Sequence, residues 1–261
     1  MTRMSLLQND LEHTQKMNVA VPKQLAELCD EVGAQFIHFS TDYVFDGTSP
    51  PYKPSDKTNP LQGYGISKMD AEMAVLISAP KTGPCLEIIQ TIFLHNISFN
   101  NPETFPYMYF WIGLVLRVPV LYANDCEELD ESATLIVAKD VISGKSKKID
   151  NWGSRFPTHV DDVANLVVKI LEKESPMSGI IHFSGDTEMV NTKYSLALLM
   201  GDILGLPTDH LQPDDEEPSG APRPKNTALD CECLKELGID TPRTPLKEGL
   251  SAALQNIITS R

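Results

Sequence analysis

The sequence reads FIHFSTDYVFDG at residues 36–47 and YGISK at residues 64–68. The apolar start of the first run, residues 36–39, is typical of a buried strand, and turn formers follow from Asp46 onwards. The second run opens a pattern in which apolar residues recur at three- and four-residue steps, as in a helix. A strand, a loop and a helix in this order favour an α/β layered fold.

The flanking sequence continues the same alternation of helices and strands. Apolar residues at helical spacing, bounded by Gly or Pro, predict helices, and short apolar runs predict buried strands. The predicted helices are residues 21–33, 161–173, 194–206 and 246–258, and the further predicted strands are residues 114–118 and 179–184.

Composition excludes several classes of function. The formal net charge of −14 and the absence of clustered Lys and Arg in the sequence argue against a nucleic-acid surface. The five cysteines are an odd number without framework or zinc-site spacing, which predicts reduced thiols and no metal site. The sequence shows no signal peptide and no membrane span, so we expect a cytoplasmic protein that does not bind membranes.

Tyr64 and Lys68 lie four residues apart, which places the phenol and the ammonium on one face of a helix. A nearby cation lowers the pKa of a phenol, and the same lysine can reach a ribose hydroxyl, which would place a nicotinamide beside the tyrosine. The alternative is an amphipathic surface pair that occurs by chance. The hydroxyl of Thr41, at the end of the predicted strand, favours a catalytic site.

The block from Phe36 to Val75 resembles the extended short-chain dehydrogenase/reductases related to dTDP-4-dehydrorhamnose reductase. Within that family, several runs are similar to the regulatory beta subunits of methionine adenosyltransferase, and the similarity extends from about residue 18 to residue 254. These runs are residues 42–48 with 51–52, 116–122, 155–160 and 242–246. The resemblance implies a partial Rossmann-like, doubly wound parallel sheet with a smaller C-terminal substrate-binding lobe.

The resemblance also implies roles for individual residues. Thr41 matches the hydroxyl that orients a carbonyl, and Tyr64 matches the proton donor. Lys68 matches the residue that tunes Tyr64 and contacts the ribose. Val118 and Pro119 match the stretch whose backbone lies near the nicotinamide, so the implied cofactor-binding residues are these two together with Tyr64 and Lys68.

A third group of residues matches a loop that borders the substrate or cofactor pocket, namely Arg155, Phe156 and Thr158. Simple packing of the loop is an equal alternative for Phe156 and its neighbour Pro157. We interpret His159 as structural, because no carboxylate or second histidine is spaced to partner it, and His38 as a core residue within an apolar run.

The sequence departs from the family in two places, which predicts a division into three parts. Folds of this family open with a Gly-x-x-Gly-x-x-Gly turn that holds the pyrophosphate, and no such spacing occurs here. Residues 1–83 are predicted to be the C-terminal part of an N-terminally truncated dinucleotide-binding domain. Residues 84–112 are an aromatic insertion, read as a translated intron, a gene-model error or a lineage-specific loop. Residues 113–261 combine the remaining sheet elements with the substrate-binding lobe.

Three functions follow from the resemblance. The first is a non-catalytic regulatory subunit that binds the catalytic subunit of methionine adenosyltransferase and modulates S-adenosylmethionine synthesis. The second is an NADPH-dependent reductase of a nucleotide-linked keto sugar. The third is a truncated product with neither activity. Intact relatives are expected to hold NADP or NAD, whereas the missing glycine-rich turn predicts that this chain does not hold a dinucleotide tightly.

Overall fold

The structure is a computed structural model that describes residue 14 and residues 16–78, 113–185 and 191–259. The predicted aromatic insertion, residues 84–112, and Cys85 lie outside the described residues. The division of the chain into three parts therefore stays a prediction. The other four cysteines are free thiols.

The described elements alternate between helices and strands in most of the chain. The helices are α1 (Val21–Glu31), α2 (Gly63–Ser78), α3 (Val137–Ser143), α4 (Val160–Leu171), α5 (Lys193–Leu204), α6 (Glu232–Glu236) and α7 (Leu246–Thr259). The strands are β1 (Phe36–Thr41), β2 (Gly113–Val118), β3 (Leu121–Tyr122), β4 (Lys147–Asp150), β5 (Thr158–His159), β6 (Gly179–His182) and β7 (Leu211–Asp214). A short 3-10 helix, Asp42–Val44, follows β1 directly, and a π-helical segment, Lys16–Ala20, precedes α1.

Local sequence explains where several helices begin and end. The side chain of Thr192 accepts a hydrogen bond from the backbone of Ser195, and Ser195 returns one, so that a capping box begins α5. Gly205 ends α5 in the left-handed conformation, with φ of 64°. His159, interpreted as structural from the sequence, begins α4 by accepting a hydrogen bond from the backbone of Asp161.

The central sheet contains three parallel strands in the order β1, β2, β6. Thr41 lies opposite Val118 in the register, and Arg117 lies opposite His182. Because the strands are parallel, their carboxyl ends meet at one edge, where ligands of doubly wound folds bind. Two further parallel pairs, β3 with β5 and β4 with β7, complete the strands of the described residues. The predicted α/β fold class is confirmed.

Two main hydrophobic clusters hold these layers together. One packs α4 and α6 against β2 and β6, through Leu114, Leu116, Val163, Leu166 and Ile181 among others. The other joins α3, α5 and α7 to β4 and β7, through Val137, Ile149, Leu196, Met200, Leu211 and Leu250 among others. Within the described part of the chain, no helix has the length and apolar character needed to cross a membrane.

Candidate functional site

Thr41 and Tyr64 meet at the carboxyl end of β1. Thr41 is the last residue of β1, and its hydroxyl accepts a hydrogen bond from the backbone nitrogen of Tyr43 at 3.3 Å. Tyr64 lies in the first turn of α2, close enough to Thr41 for the threonine side chain to lower the pKa of its phenol. The rings of Tyr43 and Tyr64 pack edge to face, 6.4 Å apart. The structure thus brings together a strand-end hydroxyl and a helical phenol.

Lys68 lies one turn beyond Tyr64, but its contacts differ from the sequence expectation. Its half-buried ammonium donates a hydrogen bond to the backbone carbonyl of Phe39, in the middle of β1. The pKa of Tyr64 is raised above its ordinary value, first by burial, while the hydrogen bond to Thr41 opposes the rise. The ammonium of Lys68 is bonded to Phe39 in this arrangement, and the tuning of Tyr64 by Lys68 stays a prediction.

Val118 and Pro119 occupy the carboxyl end of β2, directly beside Thr41 in the sheet. Both residues are buried, and the side chain of Val118 packs in the hydrophobic cluster beneath α4. A cofactor at this edge would therefore meet the backbone of these two residues rather than the side chain of Val118.

The loop residues Arg155, Phe156 and Thr158 divide into two kinds. Phe156 and Thr158 are buried, and the hydroxyl of Thr158 donates to the carbonyl of Phe156 at 3.0 Å and accepts from the backbone of Gly185 at 2.8 Å. Both residues brace the loop against the end of β6. Arg155 instead acts electrostatically on Asp42, beside Thr41, and lies 3.9 Å from the carboxylate of Asp150.

Asp42 is a residue of this site that the sequence reasoning missed. Its buried carboxylate accepts hydrogen bonds from the hydroxyls of Thr41, at 3.2 Å, and of Thr227. Burial raises the pKa of Asp42 to about 6, against the opposing effects of Thr227 and of the guanidinium of Arg155. Its position directly after a predicted buried strand was the available signal, since strand ends carry ligand-binding groups in this fold.

A buried ion pair beneath the site was also missed. Arg117 in β2 makes two hydrogen bonds to Glu72 in α2, at 2.9 and 2.6 Å, and Glu72 also accepts one from Ser40. The other nitrogen of Arg117 lies 3.3 Å from the ring of His182 in β6. Ser40 precedes Thr41, and Glu72 follows Lys68 by one helical turn. The ion pair therefore links α2 to the strand ends that carry the site.

The fold gathers positive charge at the same end of the sheet, although the sequence shows no cluster of Lys and Arg. Burial lowers the pKa of Lys193 first, and the neighbouring guanidinium groups of Arg155 and Arg223 lower it further. Arg155 and Arg223 also act on the phenol of Tyr43. These three cations come from separate segments, so local sequence gave no signal for their proximity.

The described residues fit only one end of the dinucleotide that the family implies. Thr41 and Tyr64 are in contact, Lys68 is on the same helix, and the backbone of β2 ends beside them. These groups suit a nicotinamide and its ribose. The sequence contains no Gly-x-x-Gly-x-x-Gly run for the pyrophosphate.

The chain belongs to a known protein family. The family model described as the RmlD substrate binding domain matches residues 5–93 and 112–258, which is more than half of the chain. The intervening residues, 94–111, lie inside the predicted aromatic insertion. The predicted family membership is confirmed.

Two curated relatives indicate two subgroups. The chain is 38% identical over 257 residues to a protein of Xenopus tropicalis named methionine adenosyltransferase 2 subunit beta. This match covers 97% of the chain and 66% of that relative, so the chain spans just under two thirds of the relative's length. It is 30% identical to a dTDP-4-keto-6-deoxy-D-glucose reductase of Streptomyces niveus, over 89% of the chain and 67% of that protein.

A solved structure shows the same fold at lower identity. The dTDP-4-dehydrorhamnose reductase from Bacillus anthracis, determined in complex with NADP, has a TM-score of 0.70 and 18% identity to this chain. The similarity covers 98% of the chain and 76% of the reductase. The Rossmann-like architecture is thus shared with a reductase that binds a nicotinamide dinucleotide.

Proposed function

We propose that this chain is a non-catalytic regulatory subunit that binds the catalytic subunit of methionine adenosyltransferase and modulates the synthesis of S-adenosylmethionine. One observation carries the proposal: the 38% identity to a methionine adenosyltransferase 2 subunit beta extends over 97% of the chain. The match to the reductase of Streptomyces niveus is weaker, at 30% identity over 89% of the chain. We propose a cytoplasmic location with it.

Binding to the catalytic subunit tests this proposal directly. The purified chain is mixed with the catalytic subunit and run on a size-exclusion column, and the rate of S-adenosylmethionine synthesis is measured with and without the chain. We expect the two proteins to elute together and the rate to change. Separate elution with an unchanged rate would contradict the proposal.

A second candidate, an NADPH-dependent reductase of a nucleotide-linked keto sugar, rests on the site itself. Tyr64 is in contact with Thr41, as a proton donor beside a carbonyl-orienting hydroxyl requires. The guanidinium groups of Arg155 and Arg223 act electrostatically on Lys193 nearby, against the opposing carboxylate of Asp150, and the charge of the three cations suits the diphosphate of a sugar nucleotide.

A single variant separates the two functions. Tyr64→Phe removes only the phenolic hydroxyl, so it abolishes proton donation while it keeps the aromatic packing. A regulatory subunit keeps its effect on the catalytic subunit in this variant. A reductase loses NADPH consumption with a 4-keto sugar nucleotide, and such consumption by the unaltered chain would favour the second candidate.

We propose further that a nicotinamide cofactor contacts Tyr64, Lys68 and the backbone of Val118 and Pro119, with weak overall affinity. A ligand stabilises the folded state by about 1 kcal/mol when its free concentration is roughly four to five times its Kd. Millimolar NADPH should therefore raise the melting temperature of the chain measurably, and Lys68→Met should reduce this rise. An unchanged melting temperature at millimolar NADPH would exclude the cofactor contact while leaving partner binding open to the first test.

A further inference from the structure

Within the described residues, Lys68 is hydrogen-bonded to a backbone carbonyl rather than to the carboxylate one turn further along its helix. Lys68 and Glu72 are four residues apart in α2, a spacing at which a lysine and a glutamate can pair on one helix face. The ammonium instead donates a hydrogen bond to the carbonyl of Phe39. Burial lowers the pKa of Lys68 and the charge of Glu72 opposes this, so the carboxylate is within electrostatic reach. Another group must therefore compete with Lys68 for Glu72.

That group is Arg117, which contacts both oxygens of the Glu72 carboxylate from the neighbouring strand β2. Its Nε donates to one oxygen at 2.9 Å and its Nη2 donates to the other at 2.6 Å. The hydroxyl of Ser40 also donates to the first oxygen. The side chains of Arg117 and Glu72 are only 2% and 3% exposed. Because a two-pronged guanidinium–carboxylate pair is stronger than a single ammonium contact, Arg117 neutralises Glu72 and outcompetes Lys68.

We propose that Arg117 is a positioning residue for Lys68: by holding Glu72, it leaves the ammonium of Lys68 on a neutral partner that a ligand can replace. This inference rests on the proposed contact between Lys68 and a nicotinamide cofactor, and it names the residue of another element on which that contact depends. A ribose hydroxyl that replaces the carbonyl of Phe39 exchanges one neutral acceptor for another. The removal of Lys68 from Glu72 would instead break an ion pair, which costs more.

The carbonyl of Phe39 suits the role of a replaceable partner. Strand β1 is an outer strand of the three-stranded sheet within the described residues, and Phe39 is 45% exposed. Water can therefore hydrogen-bond to this carbonyl when Lys68 leaves it. The exchange of Lys68 from Phe39 to a ligand thus leaves no buried backbone group unpaired.

The test follows the backbone carbonyl of Phe39 by NMR, in the full chain labelled with carbon-13 at the phenylalanine carbonyls. Phe39→Tyr assigns the resonance, and Lys68→Met gives its position without the ammonium. We expect Arg117→Met to move the resonance to the Lys68→Met position, because Lys68 then pairs with the vacated Glu72. In Glu72→Leu/Arg117→Met the competing carboxylate is also gone, so the resonance should return to its position in the unaltered chain.

NADPH binding gives a second readout. The rise in melting temperature at millimolar NADPH, measured from the melting temperature of each variant alone, should fall in Arg117→Met to the value in Lys68→Met. It should recover in Glu72→Leu/Arg117→Met. No rise in the unaltered chain would exclude the cofactor contact, and the carbonyl resonances would still test the effect of Arg117 on Lys68. A full rise in Arg117→Met would overturn the proposal.

A milder substitution covers the case in which Arg117→Met does not fold. Arg117→Lys keeps the charge but contacts Glu72 at a single point, so its Phe39 resonance should lie between the two reference positions. A resonance at the position of the unaltered chain in Arg117→Met, or in Arg117→Lys if the methionine variant does not fold, would refute the positioning role. A resonance at the Lys68→Met position in Glu72→Leu/Arg117→Met would refute it too, because Glu72 would then not be the group that competes for Lys68.

Discussion

Replacing Arg117 with methionine is expected to destabilise the protein by about 3–5 kcal/mol. The side chains of Arg117 and Glu72 are only 2% and 3% exposed, and two hydrogen bonds of 2.9 and 2.6 Å join them. Removal of one partner leaves an uncompensated charge in a region that excludes water. Arg117→Met and Glu72→Leu should therefore each show a loss of this size.

Removal of both charges together should cost much less than removal of either one. Apolar residues that replace a buried ion pair are often neutral or stabilising, by about 1–4 kcal/mol. In this protein the double substitution also removes the partners of the Ser40 hydroxyl and of Nε2 of His182, whose Nδ1 stays bonded to Tyr52, and each polar atom left without a partner costs about 1–3 kcal/mol. These effects offset each other, so Glu72→Leu/Arg117→Met should lie within about 2 kcal/mol of the unaltered chain.

Urea unfolding of the full chain, followed by circular dichroism, measures these four free energies. The dependence of the free energy of unfolding on urea concentration should be unchanged, because the variants expose the same surface on unfolding. The decisive comparison is between the double variant and the two single variants. Additive losses in the double variant would refute the reasoning, because they would show that neither charge depends on the other.

Three further predictions concern other parts of the structure. The first concerns the fall in the free energy of unfolding between pH 7 and pH 4, measured by urea unfolding. This fall should be about 3 kcal/mol smaller in His38→Leu than in the unaltered chain. Burial and the charge of Lys68 lower the pKa of His38 from 6.5 to about 4, so acid favours the unfolded chain across this range. Gly65→Ala should destabilise the protein by about 1–3 kcal/mol in thermal unfolding, because the added Cβ would lie 2.3 Å from a backbone oxygen. The control Ile66→Ala, at an exposed position, should cost under about 0.5 kcal/mol. Thr192→Ala should lower the free energy of unfolding by about 1 kcal/mol and Thr192→Ser by much less, because only the serine keeps the capping hydroxyl. Equal urea midpoints for the two variants would contradict this prediction.

The long elements were predictable from the sequence because their signals repeat. The helices predicted at residues 161–173 and 194–206 are observed at Val160–Leu171 and Lys193–Leu204, and the apolar run at 114–118 is β2. Strands β3 and β5 contain only two residues each, so no alternation marks them. The packing of β3 beside β5 depends on contacts between segments that are distant in sequence.

The ion pair beneath the site is marked in the sequence by a charged residue within an apolar strand. Arg117 interrupts the apolar run of β2, and a charge in a buried strand requires a partner. The partner, Glu72, could not be identified from α2 alone, because a glutamate on a helix is usually solvated. The sequence thus predicts that Arg117 has a partner, and only the packing of α2 against β2 identifies Glu72 as that partner.

The contacts of the site also explain how a regulatory protein can keep the residues of a reductase. The Thr41 hydroxyl begins the 3-10 helix after β1, and the Asp42 carboxylate binds a second segment of the chain through Thr227. Lys68 ties α2 to β1 through the carbonyl of Phe39. Because these groups hold strands, helices and loops together, their substitution would weaken the fold even where no reaction takes place. A Tyr-x-x-x-Lys motif beside a threonine is therefore compatible with either function, and measurements of partner binding and hydride transfer distinguish the two.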